Sequence, residues 1–324
     1  MSKAIVLEKF GGAEVLQWQD VDLPAPGPGE ARIRHTAIGL NFIDTYQRTG
    51  LYPLELPSGL GLEAAGEVIA IGAGVDYVQR GDRVAYLSMP PGAYAEERNY
   101  PVDKLVKLPD AIDDRTAAAA MLKGLTAWYL LHRSYPVQAD DAVLLYAAAG
   151  GVGLIAAQWA KHLGVKVVGV VSTEEKAALA RQFGCAAIVM ADSAEFVAEV
   201  LAATSGEGVA AVYDSVGKDS FYQSLDCLRP HGTMVSFGNA SGPVDPVPLI
   251  ELSRRGSLFL TRPAVFDFIS TPADLRAAAA TLFSVLEQGA ISIELGQTWP
   301  LAEVAAAHRA LEARQTVGST ILIP

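Results

Sequence analysis

The stretch Val143-Leu144-Leu145-Tyr146-Ala147-Ala148-Ala149-Gly150-Gly151-Val152-Gly153 decides the fold. Ala142 to Ala147 predicts a buried strand, the small residues after it a tight turn, and Val152 to Leu163 a helix. Small side chains let a backbone approach a pyrophosphate, and a helix N-terminus offers free N–H groups and a positive dipole end. Gly153 would let the helix pack close to the strand. The spacing, Ala-x-x-Gly-x-x-Gly, is a variant of the dinucleotide fingerprint. A glycine cluster alone also fits any tight strand-to-helix turn, so the flanking pattern carries the weight.

That pattern continues for more than one hundred residues. Strands are expected at Val165 to Val171, Ala186 to Met190, Val209 to Tyr213, Thr233 to Phe237 and Leu258 to Thr261. Helices are expected between them at Thr173 to Phe183, Ala194 to Thr204 and Ser220 to Cys227. Such alternation indicates a parallel sheet covered on both faces. The second strand bears on the choice of cofactor. A carboxylate at its end would bind the ribose 2′-hydroxyl of NAD. Here it ends Val170-Val171-Ser172-Thr173, the first acid is Glu174, and Lys176 follows within a helical turn. The ammonium favours a 2′-phosphate, although Lys176 also reads as a solvated helix residue beside Glu174 and Glu175.

Upstream, the first third reads as short strands: Ala4 to Leu7, Ala31 to Ile38, Glu67 to Ile71 and Arg83 to Tyr86. Turn signals at Pro24 to Gly29, Gly72 to Gly74 and Gly81-Asp82 separate them. This suggests a β-rich domain, a partly open barrel, followed by a helix from Thr116 to Leu131. Downstream come two helices, Ala273 to Gln288 and Leu301 to Ala313, and a last strand, Thr320 to Ile323, expected to return to the first domain. The expected division is a discontinuous catalytic domain of residues 1–123 and 266–324, with a cofactor domain of residues 124–265 inserted.

Composition restricts the function. About half of the 324 residues are apolar, enough for large cores. The net charge of −11 opposes binding to nucleic acid or to an anionic membrane. No apolar run is long enough to span a membrane, and the N-terminus lacks a signal peptide's apolar core. The two cysteines, Cys185 and Cys227, form no disulfide framework, so a reducing cytoplasm is the expected setting.

These residues resemble the zinc-free quinone oxidoreductase (zeta-crystallin-like) branch of the medium-chain dehydrogenase/reductase superfamily. The resemblance covers essentially the whole chain. It is carried by Ile38-Gly39-Leu40-Asn41-Phe42-Ile43-Asp44-Thr45-Tyr46, Gly50-Leu51-Tyr52-Pro53, Gly81-Asp82-Arg83-Val84, Leu122-Lys123-Gly124-Leu125-Thr126 and Ala147 to Gly153. Further matches are Tyr213-Asp214-Ser215-Val216-Gly217, Val235-Ser236-Phe237-Gly238-Asn239, Thr261-Arg262-Pro263 and Gly318-Ser319-Thr320. The resemblance implies an α/β fold, with a GroES-like β-rich catalytic domain plus a Rossmann domain whose parallel sheet is doubly wound. It also implies NADPH as cofactor and a homodimer joined through sheet edges. By the same matching Asn41, Lys123, Thr126, Gly150, Gly151, Val152, Ser172, Lys176, Ser215, Phe237, Gly238, Asn239, Arg262 and Arg314 are expected to meet the cofactor. One departure bears on its preference. Ala191 stands where several bacterial relatives place a tyrosine beside the 2′-phosphate, and Asp192 follows, so the preference for NADPH is expected to be weaker than in the family.

Zinc-dependent relatives need three or four converging Cys or His ligands. Their histidine-bearing segment reads Gly61-Leu62-Glu63 here, and His35, His132, His162, His231 and His308 are scattered. No metal is expected. Alcohol oxidation would then lack its Lewis acid, whereas a quinone accepts hydride, or single electrons, unaided. The protein needs mainly to position the rings and donate hydrogen bonds. Tyr46, Tyr52, Asn41 and Arg262 are the candidates. Asn41 also reads as a helix N-cap, with Asp44 three residues on. The expected activity is NADPH:quinone reduction. Two alternatives stay open: reduction of an activated C=C bond in an enone or alkenal, and a non-enzymatic NADPH-binding structural or regulatory role.

Overall fold

The computed structural model describes residues 2–87 and 89–324. In chain order it contains β1 (Ser2–Leu7), β2 (Gln17–Val21), β3 (Glu30–Leu40), α1 (Phe42–Thr49), β4 (Ser58–Gly59), β5 (Glu63–Ile71), β6 (Arg83–Leu87), β7 (Glu97–Pro101) and β8 (Leu105–Lys107). Then α2 (Asp114–Tyr129) runs into one π-helical turn, Leu130–Ser134. The alternating stretch follows: β9 (Ala142–Leu145), α3 (Gly151–His162), β10 (Lys166–Val171), α4 (Glu174–Gln182), β11 (Ala187–Met190), α5 (Phe196–Ala203), β12 (Val209–Asp214), α6 (Phe221–Asp226), β13 (Leu228–Ser236), α7 (Ile250–Arg254), β14 (Phe259–Thr261) and α8 (Val265–Phe268). Last come α9 (Pro272–Glu287), β15 (Leu295–Pro300), α10 (Val304–Glu312) and β16 (Ser319–Ile323).

The chain forms two compact units. Unit 1 holds the stretch ending at Leu125 together with Ile269–Glu287 and Ile293–Pro324, and unit 2 holds Thr126–Phe268 with Gln288–Ser292.

Unit 2 is a six-stranded sheet in the order β11-β10-β9-β12-β13-β14, parallel throughout. The parallel sheet expected from the alternation is therefore present. Its central strands are buried on both faces, as their unbroken Val/Ala/Leu runs require. The chain winds outward from β9 through β10 to β11, then returns to β12 on the other side of β9. Neighbouring strands lead away in opposite directions there, and the crevice beyond their C-terminal ends is where open α/β sheets hold ligands.

Unit 1 is built on a seven-stranded mixed sheet. Its path is β15-β16-β3-β5-β6-β8, with β7 paired to β3, and a three-stranded sheet β2-β1-β4 packs nearby. Both contribute to one apolar core containing Ile5, Leu7, Ile33, Ile38, Val68, Val84 and Tyr86. The last strand, β16, pairs antiparallel with β3 through Thr320↔Leu40, Ile321↔Gly39 and Leu322↔Ile38.

Several strands of unit 1 lie outside the sequence expectation. β5 starts at Glu63, four residues before its apolar run. Glu63-Ala64-Ala65-Gly66 lacks β-branched residues and is extended because β3 and β6 pair with it on both sides. β2 (QWQDV), β7 (ERNYP) and β15 (LGQTWP) carry polar residues toward solvent and show too little apolar signal on their own.

Candidate functional site

The candidate residues of unit 2 collect at the C-terminal ends of its parallel strands. After β9 the backbone turns left-handed at Ala147 (φ 51°), and the Gly150 N–H donates to the Ala147 carbonyl at 2.8 Å. Gly150 is the N-cap of α3 and contributes no side-chain cap. The N–H groups of Gly151, Val152 and Gly153 belong to the first turn, which has no intrahelical acceptors. A Cβ on Gly153 would lie 2.3 Å from the Ala147 carbonyl oxygen and 2.7 Å from the Ala148 Cα, so only glycine lets the helix sit this close to the strand.

A second rim follows β12 and β13, and Asp214 holds it. Its buried carboxylate accepts from the Val216 N–H (2.7 Å), the Gly217 N–H (3.1 Å), Ser220 Oγ (2.7 Å) and Ser224 Oγ (3.0 Å). Its main-chain carbonyl accepts from the Phe237 N–H at 2.8 Å. Ser215, Phe237, Gly238 and Asn239 therefore lie on two loops tied to one residue. A Cβ on Gly238 would come within 2.4 Å of the Ser215 carbonyl oxygen. Nothing in the spacing of the sequence marked Asp214; its signal was an acid at the end of an otherwise apolar strand.

At the end of β10, Ser172 is exposed and Thr173 caps α4, its Oγ1 accepting from the Lys176 N–H at 3.3 Å. The half-buried Lys176 lies in the first turn. Ala191 and Asp192 are exposed beyond the adjacent end of β11, next to this strand end. Arg262 is exposed just past β14.

Unit 1 gathers a different set. Asn41 follows β3 in extended conformation as the N-cap of α1, its N–H donating to Asp44 Oδ2 at 2.8 Å. The capping role read from the sequence is therefore real. The Asn41 side chain does something further: Nδ2 donates to Glu63 Oε1 at 2.6 Å. Glu63 is fully buried, also accepts from the Leu122 N–H, and faces the Lys123 ammonium at 3.5 Å. Lys123 donates as well to the Leu40 carbonyl at 3.2 Å. A carboxylate taken from water needs such partners on each oxygen. Thr126, the first residue of unit 2, lies three residues beyond Lys123 on α2 and is buried.

Tyr46 occupies the next turn of α1. Its ring packs against Phe42 (centroids 5.5 Å apart) and edge-on against Tyr52 (5.3 Å), and the Tyr52 N–H donates to the Tyr46 carbonyl at 3.1 Å. Both tyrosines are half-buried. Arg314 is exposed just past α10, left-handed at φ 59°. It does not join the Asn41–Glu63–Lys123 set.

The chain matches the alcohol dehydrogenase GroES-like domain over residues 27–110 and the domain described as zinc-binding dehydrogenase over residues 151–284. It is 52% identical over 325 residues to a quinone oxidoreductase of Pseudomonas aeruginosa, covering all of both chains.

The chain belongs to the quinone oxidoreductase family.

A 2-haloacrylate reductase from Burkholderia sp. is 46% identical, over 100% of this chain and 99% of that protein. Among solved structures, the Escherichia coli quinone oxidoreductase complexed with NADPH superposes with a TM-score of 0.97 at 46% identity, over 99% of this chain and 100% of that one. The quinone oxidoreductase fold here has no donor set suited to the zinc that one domain description implies. The buried Leu62 occupies the segment read above for a ligand histidine, and among the described residues no three His, Cys, Asp or Glu side chains converge. The loops of unit 2 do fit a dinucleotide: glycines 150, 153 and 238 keep side-chain atoms away from two rims, and the first rim is the N-terminus of α3.

Proposed function

We propose that this chain is an NADPH-dependent quinone reductase that works without a metal. The observation that carries the reading is the backbone cradle of unit 2, in a fold that superposes on an NADPH complex across its whole length. Gly150, Gly151 and Val152 would hold the pyrophosphate with main-chain N–H groups. Ser172 and Lys176 would meet the adenosine 2′-phosphate, with Arg314 adding charge. Ser215, Phe237, Gly238, Asn239, Asn41, Lys123 and Thr126 would meet the remaining parts of the cofactor. Bound NADPH supplies a hydride from its nicotinamide ring. The protein's own contribution is to hold the acceptor flat, exclude water and donate hydrogen bonds to the developing oxyanion. Tyr46, Tyr52, Asn41 and Arg262 are the groups assigned to that work. In functional terms residues 124–265 form the cofactor domain, and residues 1–123 and 266–324 the catalytic domain.

We also infer a homodimer. β14 is an edge strand of the parallel sheet, and its Phe259 is 61% exposed with Leu260 beside it. An uncovered apolar edge is a pairing surface. The net charge of −11 disfavours nucleic-acid partners, and no described helix is long and apolar enough to cross a membrane. Both cysteines are buried free thiols, in keeping with a reducing cytoplasm.

The 46% identity to a 2-haloacrylate reductase favours one second reading, reduction of an activated C=C bond. The two activities share a hydride donor and diverge in the need for acid catalysis at carbon. Steady-state kcat/KM with NADPH decides between them. A value for para-benzoquinone far above that for 2-chloroacrylate supports quinone reduction, and the reverse order overturns it.

A further inference from the structure

A buried chain of hydrogen bonds joins α10 to α1, and none of the chemistry above uses it. Glu312 accepts from Arg48 Nη1 at 3.0 Å. Arg48 is 2% exposed; it also donates from Nη1 to His308 Nδ1 (3.1 Å) and from Nε to the Gly11 carbonyl (3.1 Å). His308 Nε2 lies 3.2 Å from Tyr94 Oη. Tyr94 in turn donates to Asp44 Oδ2 at 2.7 Å, the oxygen that already caps Asn41.

The directions of these bonds follow from donor chemistry. A guanidinium can only donate. His308 Nδ1 is therefore the acceptor, and the imidazole keeps its single proton on Nε2. That N–H donates to Tyr94 Oη, which leaves the phenol proton for Asp44. Each link admits one orientation, from the guanidinium to the carboxyl. Protonating Nδ1 would set it against an N–H of Arg48, and burial together with Arg48 lowers the His308 pKa to about 3. The chain orients groups; it does not conduct protons to the surface.

Tyr94 is fixed on a second side. Its N–H donates to the Leu60 carbonyl at 2.8 Å, and a Cβ on Gly61 would lie 2.3 Å from its ring. It thus touches both segments that carry the buried set: α1 with Asn41, and the Leu60–Glu63 stretch that leads into β5.

We propose that Tyr94 and His308 are positioning residues for the reduction, holding α1 so that Asn41 and Tyr46 keep their working orientation. Tyr94 hands the constraint to Asp44, Asp44 to the Asn41 N–H, and Asn41 to Glu63 and Lys123. This rests on the reading that Asn41 and Tyr46 serve the reduction site.

The test uses Tyr94→Phe, His308→Leu and His308→Gln in the full-length protein, with para-benzoquinone and NADPH. Glutamine offers one acceptor oxygen and one N–H donor, so it can preserve the direction of the chain. Tyr94→Phe and His308→Leu are expected to lower kcat/KM for the quinone about 10-fold, the scale on which small misplacements act. His308→Gln should recover most of the loss, and any change in NADPH affinity, which Asn41 and Lys123 also serve, should stay smaller than the loss in quinone turnover; a general loss of stability would produce neither. Glu312→Gln, at the exposed end, loosens Arg48 without opening the core and should act in the same direction, about threefold. Unchanged quinone kinetics in Tyr94→Phe, with only a lower Tm, overturn the inference. Tyr46→Phe serves as reference. If it impairs quinone turnover while Tyr94→Phe does not, the inference alone fails. If neither has an effect, the assignment of Tyr46 fails with it.

Discussion

In unit 2 the candidate cradle is made of backbone. Glycines remove side chains, a helix start exposes N–H groups, and a single carboxylate, Asp214, ties two loops together. In unit 1 the candidate site is made of side chains brought from the β3–α1 junction, α1, β5, α2 and α10, and it contains buried ionisable groups: Glu63, Lys123, Asp44 and Arg48. The backbone device depends on residues a few positions apart. The side-chain device depends on partners separated by up to 264 positions, as between Arg48 and Glu312. The first should therefore fail locally, in cofactor affinity, and the second globally, in stability and orientation.

The largest stability effect is expected from Glu63→Gln. It leaves the Lys123 ammonium buried without its counter-charge, and breaking one side of such a pair costs about 3–5 kcal/mol. Urea unfolding measures it, and a loss below about 1 kcal/mol would show that the pair is not buried in solution.

Acid should act next. Burial lowers the pKa of His35 to about 4 and, with help from Arg48, that of His308 to about 3, from an ordinary 6.5. Both are depressed in the folded state. Their stabilisation is complete above 6.5 and is lost as pH falls through the folded values. Asp44 acts in the opposite sense. Burial raises its pKa from 3.8 to about 7, against hydrogen bonds from Tyr94 and Asn41. Its contribution is complete below 3.8 and lost as pH rises through 7. Asp44→Asn should therefore make the acid loss between pH 4 and 6.5 steeper and raise stability at pH 8 relative to wild type. Parallel Tm–pH curves for the two proteins would contradict this.

The same contrast explains what the sequence discloses. The 147–153 turn, the strand-helix alternation and the parallel sheet are readable because periodicity and glycine spacing are local properties. The N-cap at Asn41 is readable for the same reason. Glu63 appeared only as the neighbour of Leu62, and Tyr94, Arg48 and His308 were absent from the candidate set. Each is a polar residue in a stretch with no distinguishing spacing, and its role exists only once distant elements meet. Polar edge strands such as β2 and β15 escaped because pairing, not composition, makes them strands.

The smallest effect concerns selectivity. Lys176→Ala should weaken NADPH binding by about 1–3 kcal/mol and leave NADH nearly unchanged. The exposed Asp192, just beyond the neighbouring strand end, places the outcome at the lower end of that range. Equal losses for both cofactors would remove Lys176 from the phosphate site.

The division between a backbone cradle and a side-chain site is tested most directly by measuring NADPH affinity and quinone turnover on the same two variants, Gly153→Val and Tyr46→Phe. A side chain at 153 would collide with the Ala147 carbonyl and the Ala148 backbone, so NADPH affinity should fall about 100-fold or more while the far-UV spectrum stays native. Tyr46→Phe should bind NADPH as wild type does and lose about 10-fold in kcat/KM for para-benzoquinone. Normal NADPH affinity in Gly153→Val, or weakened NADPH binding with unchanged quinone kinetics in Tyr46→Phe, would contradict the account.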